Sequence, residues 1–386
     1  GRSKYHHEYS RFMQHLEASG SLDRTLEYLP DDDQLKDLYS KGVAWTRPEL
    51  SVLISYAKVE LKDKLILDGI HEDPYVLAYL QKAFPSQLQA LAPLEITRHQ
   101  LANQIIATRL ANDMVNRMGF TYCFRLCDSL GVSAMDVART FVVVMNLFQL
   151  DKLWSDIEAH DSAVDSQRQH ELLNKLVELG RRASRWYLRN RRELSPSKEI
   201  ESTKACFDPL INSALDLHLP EWRGVAEQAA AELVADGFSA EVAERTAVID
   251  SFFLFPGMVD IALSTGRDAT AVTGLGFALT SRLQVDWLMS SLLAWKSAGR
   301  WQDLACESHV DELEQLLRQL TLGLLQQAPE ESVQSIEGTW LQQWQPAITR
   351  FVDTIENQRS APLNDLAVVT VVLRELKTLV EISVRS

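Results

Sequence analysis

The sequence is short of glycine, proline, cysteine and positive charge. Glycine (16) and proline (12) together make up about 7% of the 386 residues, against an average near 12%. That shortage excludes an all-β chain, which needs turn residues every few positions. It also argues against a chain rich in phosphate-cradling loops. Four cysteines do not make a disulfide framework. Cys123 and Cys127, four apart, fit one helix turn as small buried side chains in preference to metal ligands. Lysine and arginine number 39 against 53 acidic residues, a net charge of −14. Such a chain repels nucleic acid and anionic membrane at long range, and neither is expected as a partner. Apolar runs such as Phe141 to Met145 are far too short to span a bilayer. No signal peptide is visible, and a cytoplasmic location is expected.

Catalytic signatures are missing as well. There is no G-x-S-x-G, H-E-x-x-H or G-x-x-x-x-G-K-[ST] pattern. Gly274-Leu275-Gly276 begins like a dinucleotide loop, but Leu279 stands at the third glycine position and no strand is expected before it. The nine histidines are scattered without metal-site spacing. Asp31-Asp32-Asp33 with Asp37 is the kind of acidic cluster that binds Mg²⁺ in some all-α enzymes. Asn364-Asp365 lacks the following hydroxyl and glutamate that an opposing cluster would need. Helix capping explains the triplet more simply. No catalytic, cofactor-binding or metal-binding residue is therefore assigned.

What is present is helix. The 46% hydrophobic and 24% charged content is that of a folded chain able to bury a large core. Starts are marked by Asp31 with Gln34, Thr46-Arg47-Pro48-Glu49, Asp73-Pro74, Ser133 with Asp136, and Ser239 with Glu241. Stops are marked by Gly119, Gly131, Gly237 and Gly299. Phe141-Val142-Val143-Val144 has strand composition but continues the run from Ser133, so it reads as buried helix. The expectation is an all-α, multi-helix array in two halves with no Rossmann sheet: residues 1–192, a linker at 193–203 containing Ser195-Pro196-Ser197, and residues 204–386. A weaker break falls near Ala328-Pro329-Glu330-Glu331, between two long helices.

Two helices carry most of the information. Residues 97–118 are apolar over most of the circumference, with Ala107, Leu110, Ala111, Met114 and Met118 on one arc, which marks a central helix. Its polar side holds Arg109, Asn112, Asp113, Asn116 and Arg117, spaced for pairing within the helix. Residues 165–190 carry Leu172, Leu176, Leu179, Ala183 and Trp186 on one face. Arg181, Arg185 and Arg189 lie on the other, continued by Arg192. A nucleotide or nucleic-acid site is one reading of this basic stripe; in an acidic chain a docking face for an acidic surface of this chain or of a neighbour is preferred.

Three segments resemble a known family. Thr46-Arg47-Pro48-Glu49-Leu50-Ser51-Val52-Leu53-Ile54-Ser55-Tyr56-Ala57-Lys58, Ile105 to Gly119, and Trp186-Tyr187-Leu188-Arg189-Asn190-Arg191-Arg192 are similar to segments of the large bacterial NAD-specific glutamate dehydrogenases. Phe255-Pro256 with Asp260, and Arg300-Trp301-Gln302 with Arg318, resemble weaker ones. The similarity spans essentially the whole chain. It implies the C-terminal helical region of an enzyme that oxidatively deaminates L-glutamate to 2-oxoglutarate and ammonia, with NAD bound outside this region. A chain that begins with Gly1 and has its first methionine at Met13 fits such a fragment. The resemblance further implies, as partners, the upstream catalytic and nucleotide-binding domains of the same polypeptide and other copies in a homo-oligomer. Arg47, Glu49, Arg181, Arg185, Arg189 and Arg192 are the candidate interface residues. The alternatives are a free-standing helical interaction scaffold and an independent Mg²⁺-dependent all-α enzyme.

Overall fold

Among the described residues of the computed structural model, which are 6–68, 73–160, 164–295, 299–359 and 365–385, every regular element is a helix. The first nine are α1 (His6–Ala18), α2 (Asp32–Ser40), α3 (Arg47–Asp68), α4 (Pro74–Gln81), α5 (Ser86–Leu91), α6 (Pro93–Thr97), α7 (Ala102–Met118), α8 (Tyr122–Leu130) and α9 (Ala134–Leu147). Then come α10 (Leu150–Glu158), α11 (Ser166–Asn190), α12 (Pro196–Asn212), α13 (Pro220–Ala235), α14 (Ala240–Val248), α15 (Phe255–Thr265) and α16 (Ala269–Arg282). The chain closes with α17 (Val285–Leu293), α18 (Arg300–Gln327), α19 (Val333–Arg359) and α20 (Leu366–Arg385). Short 3-10 turns cover Ala214–Leu217 and Ile249–Leu254. The all-α expectation holds.

The chain forms two units. Unit 1 takes residues 1–150 and 180–202, and unit 2 takes 151–179 and 203–386. The stretch 193–203, read from sequence as a linker, enters α12 at Pro196. The helix α11 contributes its first part to unit 2 and its last part to unit 1. The amphipathic period of α11 runs through Gly180 without a break, so composition gives no sign of the change.

In unit 1, α7 packs on α3, α4, α8 and α9, and buries Ile106, Ala107, Leu110, Ala111, Met114, Val115 and Met118. Its burial is that of the central helix its pattern indicated, but it begins at Ala102, whereas the sequence reading began it at 97, where α6 instead ends. Asp113 and Arg117 pair at 2.8 Å on its polar side. Phe141 to Val144 lie fully buried inside α9, because tertiary burial outweighs the β-propensity of three consecutive valines. In unit 2, α18 packs on α15, α16, α17, α19 and α20, and its buried stripe runs from Cys306 to Leu325.

The helix starts follow their sequence signals. Asp31 and Ser133 form complete capping boxes with Gln34 and Asp136. Thr46 and Glu49 exchange backbone-to-side-chain bonds of 2.7 and 3.4 Å. Asp73 caps α4 with Pro74 at its first position, and Ser239 caps α14. Gly299 departs from expectation: it precedes α18 as its N-cap and does not end α17. With no side chain, glycine suits either end of a helix, so its position alone was ambiguous.

Two other readings change. The stretch Ala240–Thr265 is apolar and long enough to cross a membrane, which no uninterrupted run suggested. In unit 2 it folds as α14, a 3-10 turn and α15, and most of it is buried. The acidic triplet is engaged piecemeal: Asp31 caps α2, Asp32 pairs with Arg24 at 2.7 Å, Asp33 with Lys36 at 3.0 Å, and Asp37 with Lys41 at 2.6 Å. Asn364, of the proposed opposing motif, lies outside the described residues.

Candidate functional site

The six residues picked from sequence divide between the start of α3 and the C-terminal half of α11, with Arg192 two residues past its end. Arg47 is exposed in the first turn of α3. Glu49 accepts the backbone N–H of Thr46, so its carboxylate is part of the helix cap. Arg181 is half-buried and donates from Nη2 and Nε to the carbonyl of Met118 at 2.6 and 3.2 Å. That carbonyl is an orphan acceptor at the C-terminus of α7, where the helix dipole favours a cation. Gly119 follows with φ +90°, and a Cβ there would sit 3.1 Å from the Arg181 guanidinium. The positive φ favours glycine at this turn, and a Cβ there would press on the arginine. Arg185 donates to Ser129 Oγ at 3.4 Å. Arg189 and Arg192 are exposed. The stripe therefore has two parts: its first half fastens the ends of α7 and α8 within unit 1, and its second half faces solvent. Arg191 beside it lies over the Trp186 ring at 5.2 Å and pairs with Glu199 at 3.2 Å.

Sequence reasoning missed a second feature of unit 1. A cavity of about 260 Å³ opens among α1, α3, α7 and α8. Its apolar wall includes Phe12, Leu61, Met114 and Phe124. Its polar wall is built on Glu60, whose Oε1 takes His15 Nε2 at 2.8 Å and Lys64 Nζ at 2.8 Å. Burial opposes the Lys64 charge, but the hydrogen bond and charge of Glu60 outweigh it and hold the ammonium above its ordinary pKa. Cys123 and Cys127, one turn apart on α8, line the same space with their sulfurs 3.9 Å apart. Both are partly exposed, where the sequence suggested small core residues. Each thiol tunes the other. The hydrogen bond from Cys123 lowers Cys127 against the effect of burial, helped by the Lys64 charge, while the same bond and burial push Cys123 up.

The frame of this cavity is polar and well fixed. Glu8 is buried and accepts from Thr121 Oγ1 and from Arg125 Nη1, the latter at 3.1 Å, which ties α1 to the start of α8. Arg11 pairs with Asp128 and lies over the Phe124 ring. The phenol of Tyr122 donates to Ser184 Oγ at 2.7 Å, and Ser184 donates to the carbonyl of Gly180 at 2.7 Å. The nearness of His15, Glu60 and Lys64 to the thiols depends on how α1 and α3 pack on α8. No local spacing announces it.

The dinucleotide-like glycine pair does not make a phosphate loop. Gly274 and Gly276 lie inside α16, and a Cβ on Gly276 would meet Met258 Sδ at 2.7 Å. Helical backbone there is bonded to itself, and its glycine serves close helix packing. Among the described residues no three His, Cys, Asp or Glu side chains converge on a metal-sized site.

Comparison with known proteins gives the chain its family. The family described as glutamate dehydrogenase, C-terminal, matches residues 42–378. The chain belongs to that family. It is 36% identical over 383 residues to the NAD-specific glutamate dehydrogenase of Pseudomonas aeruginosa. It is 32% identical over 379 residues to that of Halomonas elongata, and 28% over 381 residues to that of Mycobacterium tuberculosis. Each alignment covers 97% of this chain and 23% of the relative, so the chain spans about a quarter of the length of the curated relatives it matches. The family resemblance noted in the three sequence segments is thereby established.

Proposed function

We propose that this chain is the C-terminal helical region of an NAD-dependent glutamate dehydrogenase and that it serves the assembly or regulation of that enzyme, not its chemistry. The observation that carries the reading is the match over nearly all of this chain to about a quarter of each relative. The parent would convert L-glutamate, water and NAD⁺ to 2-oxoglutarate, ammonia and NADH. NAD would be held by other domains of the same polypeptide, in keeping with the helical setting of Gly274 and Gly276. Hydride transfer requires a cleft that closes and excludes water. A helical region beyond the nucleotide domain is suited to brace that closure or to join copies of the enzyme in the cytoplasm.

The exposed end of the arginine stripe, Arg189 and Arg192, with Arg47 on α3, is the candidate contact surface toward acidic groups of the upstream domains or of another copy. The test compares the full-length polypeptide, the same polypeptide ending before Gly1, and this chain alone. NADH formation from L-glutamate and an NAD⁺ titration are read for each. Turnover and NAD⁺ binding confined to the full-length polypeptide, with lost assembly or altered kinetics on truncation, is the expected result. Turnover or NAD⁺ binding by this chain alone overturns the non-catalytic assignment. In the full-length enzyme, Arg189→Glu with Arg192→Glu should weaken assembly, and unchanged assembly together with unchanged activity removes the interface assignment.

A further inference from the structure

The thiol pair on α8 is the feature that neither the family nor the proposed role explains. Three observations converge on it. The sulfurs of Cys123 and Cys127 lie 3.9 Å apart, in contact and with no side chain between them. Both reach a cavity large enough for a small molecule and are partly open to it. The cavity wall brings an ammonium, Lys64, to the same side, anchored by Glu60. The other two cysteines lack this setting: Cys306 is buried and pushed up to about 11 by burial, and Cys206 stands apart in α12 and is also raised by burial.

We propose that Cys127 and Cys123 form a thiol modification site, in which Cys127 reacts with a hydroperoxide admitted to the cavity and Cys123 resolves the product as a disulfide. In the first step the Cys127 thiolate attacks one peroxide oxygen. The S–O bond forms and the O–O bond breaks, leaving a sulfenic acid, and the departing oxygen takes a proton to become water or an alcohol. In the second step the Cys123 sulfur attacks the Cys127 sulfur. The S–S bond forms, the S–O bond breaks, and hydroxide leaves with the Cys123 proton as water. The sulfur pair loses two electrons and the peroxide gains two.

Electrostatics favour the order, and geometry sets the consequence. The Lys64 charge favours a thiolate at Cys127, while Glu60 and the Asp136 carboxylate oppose it. The Lys64 charge reaches both thiols, and the hydrogen bond they share favours the thiolate at Cys127. A disulfide needs its sulfurs about 2.05 Å apart, so bridging must draw in the first turns of α8. The inference rests on the cavity and the thiols alone and stands apart from the family role.

The test titrates the reduced 386-residue chain with hydrogen peroxide, blocks remaining thiols with N-ethylmaleimide, and maps the peptides by mass spectrometry. The expected first product is the peptide bearing Cys123 and Cys127, unalkylated and lighter by about 2 Da, the mass of two hydrogens. It should appear at a dose that leaves Cys206 and Cys306 alkylated. In Cys123→Ser, dimedone should capture a sulfenic acid at Cys127. In Cys127→Ser, Cys123 should stay reduced at that dose, and Lys64→Met should slow the loss of the Cys127 thiol. Oxidation of Cys206 or Cys306 at the same or a lower dose overturns the site. So does a Cys123→Ser protein with no dimedone adduct at Cys127. Should a variant fail to fold by circular dichroism, the competition among the four wild-type cysteines still decides the question.

Discussion

The two units set their polar contacts in different surroundings, a cavity in unit 1 and long packed helices in unit 2. In unit 1, polar side chains reach from one helix to another: Glu8 to Thr121 and Arg125, Tyr122 to Ser184, Arg181 to Met118, Arg24 to both Glu17 and Asp32. In unit 2 the buried hydroxyls of Thr246 and Thr321 return to carbonyls of their own helices, at 2.7 and 2.8 Å. Long helices supply its core instead, with α18 at 28 residues and α19 at 27. Area burial is non-directional, whereas a buried hydrogen bond is satisfied in one geometry only. Unit 1 is therefore built to hold fixed positions around a cavity. Unit 2 also carries long-range polar ties, among them Trp340 Nε1 to Ser383 Oγ at 3.0 Å, Gln327 Nε2 to the Ser383 carbonyl at 3.1 Å and Arg318 Nη2 to Asp260 at 3.0 Å, laid over a core of long helices.

The largest effects should separate these two modes. Trp340 is 2% exposed in unit 2, and Trp340→Ala should cost about 3–5 kcal/mol in urea unfolding through lost burial and a residual cavity. Glu8→Gln in unit 1 keeps the volume and removes a charge-assisted link. It should cost about 1–3 kcal/mol, with the loss concentrated in amide protection of α1. Equal costs spread evenly over both units would break the contrast.

A middle-sized effect tests packing closeness. A Cβ on Gly323 in unit 2 would meet both methyls of Val384 at 2.5 Å, and one on Gly180 would meet Met118 Cε at 2.6 Å. Alanine gains about 1 kcal/mol of helix propensity over glycine at either site. The branched valine is stiff, while the tip of the methionine can turn aside. Gly323→Ala should therefore destabilise by about 1–2 kcal/mol net, and Gly180→Ala should be close to neutral. Reversal of that order in thermal melts would show that α20 yields more readily than the Met118 side chain.

Helix ends give a smaller effect shared by both units. Arg267 donates to the carbonyls of Ala328, Pro329 and Glu331 beyond the end of α18, as Arg181 does to Met118, the last residue of α7. Replacing either by Met keeps the stem and removes the donors, for about 1 kcal/mol at each site. A double variant should lose the sum, because the two carbonyl groups have no partner in common.

Local structure was legible in the sequence where the signal was itself local. Capping residues at Asp31, Thr46, Asp73, Ser133 and Ser239 fixed the helix starts, and the apolar arc of α7 marked the centre of unit 1. The cavity was not legible, since His15, Glu60, Lys64 and Cys127 are brought together by packing across tens of residues of sequence. The arginine stripe was seen as a single face. It divides because α7 and α8 end beneath its first half, where free carbonyls and Ser129 take Arg181 and Arg185. The interleaved units were hidden because α11 keeps one amphipathic period through Gly180.

A pH-dependent effect concerns a histidine of unit 2 that lies against aromatic rings. His218 stacks on Trp222 at 3.6 Å and on Phe277 at 4.1 Å, with Nε2 3.2 Å from Ser251 Oγ. Burial against these rings lowers its pKa to about 3, from about 6.5 in an unfolded chain. Above the unfolded value neither state carries the proton, and stability is unaffected. Between that value and the folded one, the unfolded chain binds a proton that the folded chain refuses, so stability falls as pH falls. His218→Phe keeps the stacking and removes the titration. It should lower Tm slightly near pH 7 through the lost Ser251 contact, yet lose less Tm than the wild type between about pH 7 and about pH 5. Carboxylates contribute the same acid limb to both proteins, so the difference in slope isolates the imidazole. Parallel slopes would mean that the unit 2 core opens enough to hydrate a charged His218, and the contrast between the long packed helices of unit 2 and a polar, positioned unit 1 would have to be redrawn at that point.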